Sequence, residues 1–149
     1  MDEKCDFCQI DAEKNRIVWH NENIIVVLSN PRLMVGHMLV IPRYHVSNLQ
    51  ELGLDRRHEL IDVASFFQDR IKEICSAPGK PAGCDMSQQD RPFMPTTRLS
   101  VPGHLHVHLK PRYWKDAYWE SVLSHETDFF KEATSGEMEG FRRLIISEA

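Results

Sequence analysis

Three histidines, His104, His106 and His108, alternate with Leu105 and Val107. In extended backbone, alternate side chains share a face. The three imidazoles would therefore line one side, roughly 7 Å apart per step at a rise of about 3.3 Å per residue. Leu105, Val107 and Leu109 would pack on the other side. Clustered imidazoles repel when charged and need hydrogen-bond partners when buried. Three of the chain's 8 histidines in one alternating run is therefore a pattern that chemistry has to explain. Three chemistries want it. A metal could take two or three of the rings; a neutral imidazole could attack phosphorus; protonated imidazoles could hold a phosphate and protonate a leaving group. Spacing alone does not choose among them.

The other chemistry-bearing residues are sparser. Cys5-Asp6-Phe7-Cys8 is a lone CxxC, which fits zinc, redox chemistry or nothing; Cys75 and Cys84 are too widely separated to make a second. Lys110 and Arg112, just past the last histidine, could attract a polyphosphate. His20, His58 and His125 have no motif company and read as surface or helix-face residues.

The elements that must position these groups follow from local pattern. Residues 23–29 read as a buried strand, β-branched and ended by Asn30-Pro31, and residues 36–42 as a second, entered through Gly36 and paired antiparallel with the first. Residues 55–75 predict the main helix, with Asp55 as N-cap and Leu60, Ile61, Ala64, Phe67, Ile71 and Ile74 on the face that packs on a sheet. Residues 83–88 predict a third strand and 103–110 the histidine strand. The proline-bearing stretch near 90–102 reads as irregular, and a helix is expected near 136–147. Strands with one dominant helix indicate an α+β domain with an antiparallel sheet.

Composition sets the outer bounds. The 149 residues suit one compact domain, 1–149, and an apolar content of 42% supports an ordinary core. The formal charge of -4 argues against binding to duplex nucleic acid. No apolar run approaches the roughly 20 residues that span a bilayer, and the first residues lack the apolar core of a signal peptide. Four cysteines in such a chain read as thiols or metal ligands, so the expected location is the cytoplasm, with no membrane partner.

The segment from His104 to Arg112, HLHVHLKPR, resembles the signature of the histidine triad (HIT) family, whose dinucleoside polyphosphate hydrolase branch often closes with Pro-Arg. Residues 36–45, GHMLVIPRYH, are similar to the family's GHxLVIPKxH strand, and residues 5–10, CDFCQI, to the CxFCxI start of its zinc-containing members. The three stretches keep the family's order and cover about residues 5–112, leaving 113–149 as a C-terminal extension with a helix. The resemblance implies an HIT-like fold, a five-stranded antiparallel sheet with a main and a C-terminal helix, paired as a homodimer. It implies nucleotidyl transfer or hydrolysis at an α-phosphate. The substrates would be nucleoside phosphoramidates or dinucleoside polyphosphates, of adenosine or another purine, with the closing Pro-Arg leaning towards the latter class.

Carried over by position, His106 is the nucleophile that forms a nucleotidyl-histidine, His104 and His108 bind phosphate oxygens and assist the leaving group, and His37 is a fourth active-site histidine. The resemblance also supplies His45 and His104 to complete a structural zinc site with Cys5 and Cys8; no catalytic metal is required. The chain departs from the family just before the triad. The usual Gly-Gln-Ser or Gly-Gln-Thr is replaced by Leu99-Ser100-Val101-Pro102-Gly103, where Pro102 has no N–H to offer. Ser100 could supply a hydroxyl there, and Gln88 or Gln89 could substitute from the third strand. Asn30 or Ser29 lies near the family's ribose-binding position. Two other readings compete. One is a non-catalytic nucleotide-sensing module; the other is a metalloenzyme whose cation is held by His104, His106 and His108.

Overall fold

A computed structural model describes residues 5–97 and 99–147, and the chain divides into two compact units, Met1–Trp114 and Lys115–Ala149. The first unit is built on a five-stranded antiparallel sheet of order β1-β2-β3-β5-β4. Its strands are β1 (Ile17–His20), β2 (Ile24–Leu28), β3 (Met38–Pro42), β4 (Gly83–Gln88) and β5 (Val107–Arg112), and its long helix is α1 (Leu54–Cys75). The α+β reading and the five-stranded antiparallel sheet are therefore observed.

Both faces of the sheet are covered, which is why β2 is a continuous apolar run. Ile24 and Val26 join Val40, Leu105, Val107 and Leu109 under α1, which contributes Leu60, Ala64, Phe67 and Ile71. The helix residues recur at 60, 64, 67 and 71, a single stripe at helical spacing. Ile61 and Ile74, expected on the same stripe, are exposed. Ile61 lies about 100° around the helix from Leu60, and Ile74 sits in the last turn. The expected cap is also corrected. Gly53 occupies the N-cap and Asp55 lies inside the first turn, where its charge still favours the helix dipole.

The opposite face buries Ile25, Val27, Leu39 and Ile41 against Ile10, with Phe7 and Ile17 packed alongside. Ile10 and Phe7 come from a 3-10 helix, Asp6–Ala12, so the CxxC segment is tied down on the sheet. β1 was not anticipated. It is four residues long and joined to β2 by a tight turn in which Asn21 Oδ1 accepts from the backbone N–H of Asn23 and Ile24, at 2.9 and 2.8 Å.

The histidine strand begins later than the alternation suggests. Its ladder runs Val107–Arg112, not 103–110, because β3 offers partners only from Met38 to Val40. Upstream, a single bond continues the extended path, from Leu105 N–H to the Val46 carbonyl at 2.6 Å.

The second unit holds α2 (Ala117–Ser121), a 3-10 segment Leu123–Phe129, and α3 (Ser135–Ser147). Asp116 caps α2, its Oδ1 accepting from Trp119 N–H at 2.7 Å. α3 starts on a capping box: Thr134 Oγ1 accepts from Glu137 N–H at 3.2 Å, and Glu137 Oε2 from Thr134 N–H at 2.9 Å. Among the described residues, no helix is long and apolar enough to cross a membrane.

Candidate active site and metal centre

Each functional histidine is fixed by a partner of unambiguous polarity. His106 Nδ1 lies 2.7 Å from the His104 carbonyl. A carbonyl only accepts, so Nδ1 carries the proton and Nε2 of the neutral ring keeps its lone pair. Burial pulls the His106 pKa down, opposed in part by that same hydrogen bond. The Phe7 ring stands edge-on to His106 with centroids 5.0 Å apart.

A second chain of bonds fixes His108. The backbone N–H of Leu33 donates to His37 Nδ1 at 3.2 Å, so neutral His37 carries its proton on Nε2. That N–H donates to His108 Nδ1 at 3.0 Å. Neutral His108 must then carry its own proton on Nε2, with an N–H ready to donate. The rings are nearly parallel, 24° between planes, and His106 follows at 4.8 Å from His108. Burial chiefly, then the charges of Lys110 and His106, pulls His37 down to about 4. Burial chiefly, then His106, His37, Lys110 and Arg91, pulls His108 down to about 3. Both rings are neutral at pH 7.

His37 reaches this position because Gly36 precedes it. Gly36 has φ +82°, a conformation that favours glycine, and a Cβ there would stand 3.0 Å from Pro111 Cγ.

His104 belongs to a different cluster. Its Nε2 lies 2.8 Å from the Pro42 carbonyl, which places the proton there and turns the Nδ1 lone pair towards Cys5 Sγ at 3.3 Å and Cys8 Sγ at 3.6 Å. His45 Nδ1 approaches Cys8 Sγ at 3.2 Å. The four donor atoms lie within 4.8 Å of one another. A tetrahedral Cys2His2 zinc site needs sulfur–nitrogen edges of about 3.5 Å, given metal bonds of about 2.3 and 2.0 Å, so the spacing fits such an ion. The one N–H of His104, on Nε2, is held by a carbonyl, as is usual for metal-ligating histidines. Without a cation, burial raises the Cys5 thiol pKa; a metal reverses that balance and holds a thiolate. Cys5, Cys8, His45 and His104 thus form a metal-binding constellation, whereas among the described residues His106 and His108 join no such group.

The structure accordingly splits the expected site residues. His37, His106 and His108 are brought together on one face, and His104 joins Cys5, Cys8 and His45. Ser29 spends its hydroxyl on the Pro31 carbonyl at 2.8 Å, and its N–H on the His37 carbonyl at 2.8 Å. Asn30 is exposed at the following turn. Ser100 closes a small turn with Thr97. Gln88 pairs with Val107, which turns it to the α1 side of the sheet; the residue opposite His108 is Ser87. Sequence reasoning missed Ser87 and Phe7, since neither stands out until the register is known.

These observations can be set beside known proteins. No family model matches the sequence. The "Protein hit" of Bacillus subtilis is 26% identical over 139 residues, covering 87% of this chain and 85% of that protein. Among solved structures, a HIT family protein from Bacillus anthracis superimposes with a TM-score of 0.68 at 20% identity, covering 100% of this chain and 99% of the other. A histidine triad nucleotide-binding protein from Candida albicans gives 0.64 at 18% identity, covering 97% and 96%. The chain has the fold of histidine triad proteins, and the resemblance carried by its motifs is matched by its architecture.

Proposed function

We propose that the protein is a nucleotide hydrolase or nucleotidyl transferase of the histidine triad family, acting at the α-phosphate of nucleoside phosphoramidates or dinucleoside polyphosphates. The observation that carries this reading is the bond from His106 Nδ1 to the His104 carbonyl, which leaves the Nε2 lone pair free in a half-buried ring whose pKa burial lowers. Such a nitrogen is a nucleophile for phosphorus. In the first step His106 Nε2 bonds to the α-phosphorus, the bond to the leaving group breaks, and its electron pair departs with that group. Water then displaces the histidine, releasing the nucleoside monophosphate and restoring the ring.

His108 Nε2–H, backed by His37, is the donor beside the reacting phosphate, where it stabilises the developing charge. His104 is left out of this chemistry, because both of its nitrogens are committed. We place a structural zinc on Cys5, Cys8, His45 and His104. Bound there, it crosslinks the N-terminal segment to residue 104 and supplies no chemistry at phosphorus. A nucleotide substrate is supported by the similarity to the histidine triad nucleotide-binding protein of Candida albicans; a purine base and a homodimer complete the reading.

The test is mass spectrometry of protein quenched during turnover of adenosine 5′-phosphoramidate and of diadenosine tetraphosphate. The expected result is an adenylyl adduct on His106, and loss of roughly three orders of magnitude or more in kcat for His106→Ala. An adduct on another residue would overturn the assignment. Tight AMP binding with neither adduct nor turnover would favour the sensing module instead.

A further inference from the structure

β1 is one edge of the sheet. Its Trp19 pairs with Val26, which packs beneath α1, so the indole projects to the α1 side at the margin of the sheet. There it meets Val63 and Phe67 and, from the adjoining row of the helix, Asp62 and Phe66. These five residues line a hollow of about 360 Å³, at the small end of ligand pockets. Phe67 is buried, while Trp19 and Phe66 are exposed. The Phe67 ring stands 6.1 Å from Trp19 at 54° and 5.2 Å from Phe66 at 86°, so two exposed rings are tilted about a buried one.

The hollow also carries a charge. Further along the exposed side of α1 the acids are paired, Asp69 with Lys72 at 2.7 Å and Glu73 with Arg70 at 2.6 Å. The Asp62 carboxylate enters no ion pair or hydrogen bond among the described residues. Aromatic faces are negative and attract cations, and a free carboxylate does the same. A primary ammonium or a guanidinium would give up water at N–H groups that aromatic walls cannot satisfy. A quaternary ammonium has no N–H. Its charge is spread over methyl groups, which lose little water and make van der Waals contact with the rings. An uncharged apolar ligand would desolvate Asp62 and return nothing.

We propose that Trp19, Phe66, Phe67 and Asp62 form a binding site for a quaternary ammonium group. The site lies on the side of the sheet that Val107 and Leu109 face, away from the His106 and His108 rings, and it does not rest on the reaction proposed above.

The test is titration of the full-length protein with choline chloride at constant ionic strength, followed through the indole N–H resonance that is lost in Trp19→Phe. Choline should shift that signal saturably in the millimolar range. The uncharged isostere 3,3-dimethylbutan-1-ol should bind about tenfold more weakly. Asp62→Asn should weaken choline several-fold. Phe66→Leu, which keeps apolar bulk and loses the ring, should weaken it about threefold or more. Both residues are exposed, so neither change disturbs the core. A pentapeptide centred on trimethyl-lysine distinguishes the source of the group: tighter binding than choline assigns it to a modified chain, weaker binding to a free metabolite. No saturable shift with either cation, equal affinity for the uncharged isostere, or unchanged affinity in Phe66→Leu overturns the proposal.

Discussion

Acid should destabilise this protein through His37, and the size of the effect follows from its burial. The ring is 4% exposed, accepts from Leu33 N–H and donates to His108, so a second ring proton has no acceptor and would face Lys110 and His106. Its pKa falls from 6.5 to about 4 on folding. Between those values the unfolded chain binds a proton that the folded one refuses, so stability is complete above pH 6.5 and is lost as pH falls towards 4. Integrated to pH 5, this one residue accounts for about 2 kcal/mol, a large part of the ~5–15 kcal/mol that holds a domain folded. His104, His106 and His108 are shifted the same way and add to the acid loss in the wild type. The assay is therefore a difference: urea unfolding of metal-free wild type and of His37→Phe at pH 7.5, 6.5, 5.5 and 5.0. Phenylalanine keeps a ring beside His108 but cannot titrate. The variant should lose about 2 kcal/mol less over that interval than the wild type. Equal losses in the two proteins would refute the claim that His37 is held neutral by its surroundings; His37→Gln, measured alongside, guards against a packing defect peculiar to phenylalanine.

Gly36→Ala should cost about 1–2 kcal/mol by forcing positive φ on a residue with a Cβ, and its contact with Pro111 should also lower kcat by shifting His37. Denaturation and turnover of the same sample check both. Leu60→Ala removes a fully buried side chain beneath the sheet and should cost about 2–5 kcal/mol in urea unfolding. Ser87→Ala breaks no observed hydrogen bond and removes a buried hydroxyl, so its midpoint in urea should equal or exceed that of the wild type.

The sheet and the principal helix were legible because their signals are local. Apolar runs mark β2 and β3, and one stripe of four residues marks α1. What escaped was set by partners distant in sequence. β1 carries only four residues, too few for periodicity to register. Val107 starts the histidine ladder because β3 has no partner for Leu105, a fact of register that no alternation encodes. Of the site, the motif residues were legible from the alternation and their division only from the resemblance: alternation alone treats the three histidines as equivalent, yet His104 turns to the cysteines while His106 and His108 do not. Ser87 is visible only once β4 is aligned to β5, since a one-residue slip would put Gln88 opposite His108 instead.

The division would also couple a metal held by Cys5, Cys8, His45 and His104 to the proposed reaction, through one residue used twice. The His104 ring is held between the Pro42 carbonyl and the cysteine sulfurs, and the carbonyl of the same residue sets the His106 tautomer. Whatever fixes the ring fixes the carbonyl three bonds away. Stripping metal with a chelator at pH 7.5, or Cys8→Ser, should therefore do more than lower the melting temperature. With His45 and the sulfurs no longer drawn to one point, residue 104 gains freedom and His106 begins to sample the other tautomer, in which Nε2 is protonated and cannot attack. Outer-shell losses of this kind cost roughly 10–100-fold, and the fall should appear in kcat rather than KM. Nitrogen-15 NMR of the histidine side chains reads the cause directly: in the metal-loaded protein His106 should show the Nδ1–H form alone, and after stripping a mixture. Stripped protein that keeps full kcat and an unmixed His106 spectrum would show that the carbonyl holds its place without the cluster, and the coupling would be wrong.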